Sequence, residues 1–202
     1  MSVLGVDVKC GTPALDVKNW LQTFGISDVT LSAFIQDPKY WVDLKTICSG
    51  PVICDREEFL LSDFPRETFD YIVVDQPINC YHNPEMMLRA LFQLCADGGH
   101  VVCKLFNTFS FREYMTMLNG AGNYTTKKVS FNISLERFQN MLEEYGDIRR
   151  RIETASMAED ELKQFAEWLP EHLTEAQQKS VNQMKNVSYM FVVEKFNEGY
   201  RN

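Results

Sequence analysis

One stretch, residues 69–107 (FDYIVVDQPINCYHNPEMMLRALFQLCADGGHVVCKLFN), constrains the fold more than any other. Tyr71-Ile72-Val73-Val74 is an apolar run of strand length, opened by Phe69-Asp70. Asn83 can cap a helix, and Pro84 suits the first turn, where its missing N–H costs nothing. Met87, Leu88, Leu91, Phe92, Leu94 and Cys95 give that helix a wide apolar face. Asp97-Gly98-Gly99 is expected to stop it, because glycine takes up the left-handed turn that helix ends favour. Residues 100–105 (HVVCKL) read as a second strand. Two near-continuous apolar strands joined by a helix predict a right-handed crossover in a parallel sheet covered on both faces. Ligands in such sheets bind beyond the carboxyl ends of the strands. That directs attention to residues 75–82 and to Phe106-Asn107.

The rest of the chain fits the same plan. Residues 3–8 read as a first strand broken by Asp7. Thr12 and Pro13 can open a helix whose apolar positions (Ala14, Leu15, Val17, Trp20, Leu21, Phe24) recur every three or four residues. Residues 28–35 read as a second strand, with a helical or irregular piece from Asp37-Pro38 to Ser49. Residues 51–54 read as a short third strand, followed by a charged and aromatic loop. Beyond residue 107 the pattern turns helical: residues 111–118, a helix capped by Ser134 and ended by Gly146, one over 160–169, and one capped by the Thr174/Gln177 box. A weakly patterned strand is expected over 148–154. Residues 187–196 read as a closing strand, apolar on both faces and so internal. The sum is an α/β chain, doubly wound on one sheet. It reads as a single domain over 1–202, with a nucleotide-binding type of half (1–107) and a helix-rich, substrate-side half (108–202).

Composition narrows the function. A formal charge of −8 over 202 residues argues against a general nucleic-acid binder, which needs a basic face. Arg149-Arg150-Arg151 reads as a solvated face. No stretch reaches the roughly 18–20 apolar residues of a membrane span, and the start lacks a basic leader with an apolar core. The six cysteines are scattered with no CxxC pair, so the reading is free, buried thiols in a reducing cytoplasm and no structural metal. The sequon Asn186-Val187-Ser188 would go unused there.

The candidate site residues follow from position. The first strand-to-helix turn, Asp7-Val8-Lys9-Cys10-Gly11-Thr12-Pro13, is where such folds hold a nucleotide against a helix N-terminus. With one glycine, it reads equally as an ordinary turn. Asp55, after the third strand, could accept hydrogen bonds from an adenine amine or a ribose, or cap its own loop. Asp75, Gln76, Asn79 and His82 lie past the fourth strand. Asp75 and His82 are the catalytic candidates, since a histidine titrates near pH ~6.5 and can act as a base. The bland reading of His82 is a surface residue before a helix cap. His100 and His172 read as structural or exposed.

These landmarks resemble the class I S-adenosylmethionine-dependent methyltransferases, in a bacterial branch with EHLPDP, LLKPGG and PN signatures. Residues 7–13 stand where that family has DVGCGTG. Residues 67–85 stand in the GSFD…DPE segment, Leu94-Cys95-Ala96-Asp97-Gly98-Gly99 in LLKPGG, Leu105-Phe106-Asn107 in VPN, and residues 131–146 in a later FTxxxLxxLLEEAGF helix. The resemblance covers nearly the whole chain. It implies a three-layer, Rossmann-like fold with a mostly parallel seven-stranded sheet and an antiparallel C-terminal strand. It also implies S-adenosylmethionine as cofactor, held by Asp7, Lys9, Cys10, Gly11, Asp55 and Asp75. Asn79, His82 and Asn107 would face a small-molecule or glycan substrate.

The chain departs from that pattern in its cofactor residues. Lys9 and Pro13 replace two glycines, and Pro13 removes an N–H. The acidic residue expected at the end of the second strand falls near Ala33-Phe34, with Asp37 too late. Asn79-Cys80 replaces a Glu-His pair, and the helix that usually precedes the first strand is not seen. Each lost polar contact costs ~1–3 kcal/mol, so two or three would weaken binding by roughly two to five decades. Two readings follow: an active methyltransferase with an atypical loop, or a methyltransferase-fold module that has lost its cofactor. In the second, a protein partner or second copy would cover the open face. A different ligand, a phosphate beside Lys9, is a third.

Overall fold

The computed structural model describes residues 1–9, 12–118, 129–156, 158–170 and 172–197. Cys10, Gly11 and residues 119–128 lie outside them. Seven strands form one sheet in the order β3-β2-β1-β4-β5-β7-β6. They are β1 (Ser2–Val6), β2 (Thr30–Ile35), β3 (Val52–Cys54), β4 (Phe69–Val74), β5 (Cys95–Phe106), β6 (Gly146–Ser156) and β7 (Asn186–Lys195). The first five run parallel, and β7 is antiparallel to both β5 and β6. The expected fold class is the one observed, and β7 is internal as its apolar pattern requires.

Helices cover both faces. One core joins Leu4, Val6, Ile72, Val74, Val101, Cys103 and Phe191 to α4 (Pro84–Leu94) and α6 (Leu135–Glu143). The other joins Val3, Leu31, Ala33 and Val73 to α1 (Thr12–Thr23) and α2 (Trp41–Ile47). Alternate residues of each strand point to opposite faces, so one apolar strand feeds both layers. Gly5 lets α1 lie close against β1. A Cβ there would stand 2.7 Å from Val8 Cγ2 and 3.0 Å from the Ala14 methyl.

The remaining helices are short: α3 (Leu60–Asp63), α5 (Phe111–Leu118), α7 (Glu159–Glu167) and α8 (Glu175–Met184). Because β6 runs parallel to β5, its end lies at the carboxyl edge of the sheet, and α7 and α8 return from there to β7. Phe111, Phe165 and Val181 pack α5, α7 and α8 into a small satellite core beside that edge. No helix among the described residues is long and apolar enough to cross a membrane.

Several boundaries differ from expectation. The helix after β4 ends at Leu94, and Cys95 begins β5 by pairing with Phe69. Asp97-Gly98-Gly99 therefore forms a bulge in β5, with Gly98 at φ +70°, rather than a helix stop. Gly146 opens β6 instead of ending α6. The thiols of Cys95 and Cys103 are buried, but Cys54 is exposed, since β3 is the edge strand. Asn186 is buried at the start of β7, which removes it as a sugar acceptor by geometry alone.

Candidate functional site

Each of the five parallel strands is followed at once by a polar residue: Asp55 after β3, Gln36 after β2, Asp7 after β1, Asp75 after β4 and Asn107 after β5. Backbone bonds hold them in line. Asp55 N donates to Ile35 O (3.1 Å), Asp7 N to Phe34 O (2.8 Å), Asp75 N to Val6 O (3.1 Å) and Asn107 N to Val187 O (2.8 Å). Neighbouring strands lie ~4.8 Å apart, so this row extends on the order of 20 Å along the carboxyl edge. The structure thus brings Asp7, Asp55, Asp75 and Asn107 to one edge.

Asp7 is the anchor of the row. Its φ of +50° lies in the left-handed region, which turns the chain out of the sheet. Gln36 N (2.9 Å) and Gln36 Nε2 (3.0 Å) donate to its carboxylate, and the Tyr81 hydroxyl donates to Oδ2 (2.7 Å). Tyr81 is fully buried, and burial first, then Asp7, pushes its hydroxyl well above the ordinary range. Sequence reading passed over both partners. Tyr81→Phe is expected to cost ~1.5–3 kcal/mol, the value of a buried hydrogen bond to a charged group. The sign with pH is also fixed. A raised folded value means this hydroxyl's contribution is complete below pH ~10 and falls as the unfolded chain ionises above it. Alkaline denaturation should therefore be shallower in the variant, and identical curves would refute the assignment.

Ala33 and Phe34 are buried inside β2, which ends at Ile35, so Asp37 stands two residues past the strand. Its carboxylate accepts from Lys39 N (3.1 Å) and pairs with Lys39 Nζ (2.6 Å), which holds it below the usual carboxylate range. Lys9 is exposed and acts on Asp37 electrostatically. Asp55 is exposed and accepts from Arg56 N (2.7 Å). Desolvation and then the charges of Asp55, Asp37 and Asp7 raise the Cys54 thiol, so these carboxylates share one field.

Toward β5 the chemistry changes. The β4–β5 register pairs Val73 with Val102, which sets Asp75 beside Lys104 two residues on. Lys104 Nζ lies 2.5 Å from Asp75 Oδ1, both partly buried. Lys104 is a site residue that sequence reading missed, although a lone lysine in an apolar strand is a visible signal. Asn79 is fully buried and clamps the end of β5: Nδ2 donates to Phe106 O (2.9 Å) and Phe106 N donates to Oδ1 (3.1 Å). Through these two bonds it shapes the edge. Asn107 is also buried, with Nδ2 donating to Gln183 O (2.9 Å) and Asn186 O (2.8 Å), so it ties β5 to the start of β7.

His82 is set apart from the Asp75–Lys104 pair. Its ring is 89% exposed, and Nδ1 lies 3.6 Å from Glu57 Oε2. Glu57, buried, accepts from His82 N (2.8 Å) and Asn83 N (3.2 Å) and so fixes the start of α4. His100 stacks on Tyr71 within the sheet face.

No family model and no curated protein sequence matches the chain. Solved structures do. A SAM-dependent methyltransferase from Archaeoglobus fulgidus superposes with a TM-score of 0.61 at 11% identity, over 96% of this chain and 86% of that one. The Haloferax volcanii complex between the Trm112 methyltransferase activator and a methyltransferase gives a TM-score of 0.60 at 9% identity, over 97% and 83%. The plantazolicin methyltransferase BamL, in complex with a triazolic desmethylPZN analog and SAH, gives 0.58 at 16%, over 97% and 77%. The chain has the methyltransferase fold. At these identities the likeness establishes the fold alone.

Proposed function

We propose that the chain binds S-adenosylmethionine along the carboxyl edge of β1–β4 and methylates a small molecule or sugar presented over β4 and β5. The observation that carries this reading is the row of polar residues that follows the parallel strands. Asp37 and Asp55 would accept hydrogen bonds from the hydroxyl and amine groups of the cofactor. Asp7, with Gln36 and Tyr81, would set the turn that holds its other end, with Lys9, and Cys10 and Gly11 next in sequence, as further cofactor-binding candidates. The donor set fits, because Asp7 and Asp55 offer acceptors and negative charge to a sulfonium cofactor, while Asp37 and Asp75 each carry a lysine partner. When bound, the cofactor supplies an activated methyl group on sulfur. The chain's own part is chiefly positioning. Lys104 fixes the Asp75 carboxylate beside the acceptor, where it can take a proton from a weak nucleophile.

One observation favours a second reading, a module that no longer binds the cofactor and works beside a protein partner. Gln36 and Tyr81 already engage the Asp7 carboxylate. Isothermal titration with S-adenosylmethionine and then S-adenosylhomocysteine separates the two. Saturable binding in the micromolar range is expected. No heat up to millimolar concentration would overturn methyl transfer and leave the module.

A further inference from the structure

Two buried oxygens beside the end of β5 have no hydrogen-bond partner: Thr108 Oγ1 and Glu113 Oε2. Folded proteins leave few such atoms, and each calls for an explanation. The two lie five residues apart, in the turn that leaves β5 and in the first turn of α5.

The local sequence makes the orphaned carboxylate more telling. Ser110-Phe111-Arg112-Glu113 is the S-x-x-E pattern of a capping box, in which the glutamate reaches back to the serine N–H. Here the box is only half made. Glu113 N donates to Ser110 Oγ (3.4 Å), but Ser110 N donates to Asn107 O (3.2 Å), so the carboxylate is not drawn back. At α7 and α8 the third residue of the helix does reach back, with Ala158 N donating to Glu161 Oε2 (2.8 Å) and Thr174 N to Gln177 Oε1 (2.9 Å). Nor does the adjacent cation come to Glu113. Arg112 is bidentate on Glu161, at 2.9 and 2.7 Å. Burial lifts the Glu113 carboxyl above its usual range. The turn itself is firmly held, since Ser110 is fully buried and Phe111 packs on Phe165 with ring centroids 4.7 Å apart.

A carboxylate accepts hydrogen bonds, and a hydroxyl both accepts and donates; an ammonium brings three donors and a charge. Phe109, between them in sequence and 55% exposed, offers an aromatic face that also suits a cation. We propose that Thr108 and Glu113 form a recognition site for an organic ammonium group beside the carboxyl end of β5. The binding claim stands on these residues, and it names the class of methyl acceptor only in so far as the reading under Proposed function holds.

The test follows backbone amide shifts of Thr108, Ser110 and Glu113 while n-butylammonium chloride is titrated against matched sodium chloride, with n-butanol as the neutral counterpart. Saturable shifts with the amine and none with the alcohol are expected. Glu113→Gln should weaken the amine at least tenfold, and Thr108→Val several-fold. Thermal unfolding of both variants should stay at or above that of the parent, because Thr108→Val removes a buried unpartnered hydroxyl and Glu113→Gln removes a partly buried charge. Equal responses to amine and alcohol, no response to either, or an unchanged affinity in Glu113→Gln would overturn the site. S-adenosylhomocysteine titrated into the same sample keeps the two proposals apart. Its binding without an amine response overturns the ammonium site alone, and an amine response without it supports the site and overturns methyl transfer alone.

Discussion

Asn79→Ala is expected to lower the unfolding free energy by ~2–5 kcal/mol, because it removes two buried hydrogen bonds at ~1–3 kcal/mol each. Asn79 grips both backbone groups of Phe106, and its own carbonyl accepts from Ser130 N (2.9 Å) and Phe131 N (3.2 Å). Asn79 therefore helps fasten the loop after β4 both to β5 and to the segment before α6. Asn79→Asp should rescue little, since its second oxygen would face the Phe106 carbonyl with no proton to share. Urea unfolding monitored by circular dichroism reads the effect. A loss below ~1 kcal/mol would mean that the clamp is not holding the edge.

Gly146→Ala should be comparably harmful for a different reason. A Cβ at this position would sit 2.2 Å from the Glu194 carbonyl oxygen and 2.9 Å from its carbon. The obstruction is backbone, so no rotamer relieves it, and the first residues of β6 must separate from the end of β7. The expected loss is ~3 kcal/mol, the upper part of the usual range for overpacking. Hydrogen exchange should locate it, with faster exchange along β6 and β7 and little change in β1–β4. Uniform loss across the sheet would argue against the local clash.

Much of the fold was legible from residues 69–107, because periodicity reports burial and burial sets the layers. The Thr174/Gln177 box, the Ser134 cap and the internal closing strand are all local signals of that kind. What failed was local chemistry with two outcomes. Asp97-Gly98-Gly99 can stop a helix or form a bulge, and pairing of Cys95 with Phe69 decided between them. The site was legible as an edge: Asp7, Asp55, Asp75 and Asn107 were found because they follow strands. Their partners were not, since Tyr81 and Gln36 reach Asp7 across the sheet, and Asn79 meets Phe106 from 27 residues away. Such contacts leave no spacing rule in the sequence. Asp37 stands two residues behind the end of β2.

The placement of β7 also sets a timetable for synthesis. It is the last of these seven strands to be synthesised, yet it lies between β5 and β6 and pairs His100 with Glu194 on one side and Gly146 with Lys195 on the other. Until residues 186–195 emerge, β5 ends the nascent sheet with an open row of backbone groups, and β6 lacks its strand partner among the described residues. Open edges of that kind recruit other strands, and pairings between distant residues form slowly. The half-made sheet is thus at its most vulnerable just before β7 emerges, and this strand works as the zip that ends the exposure.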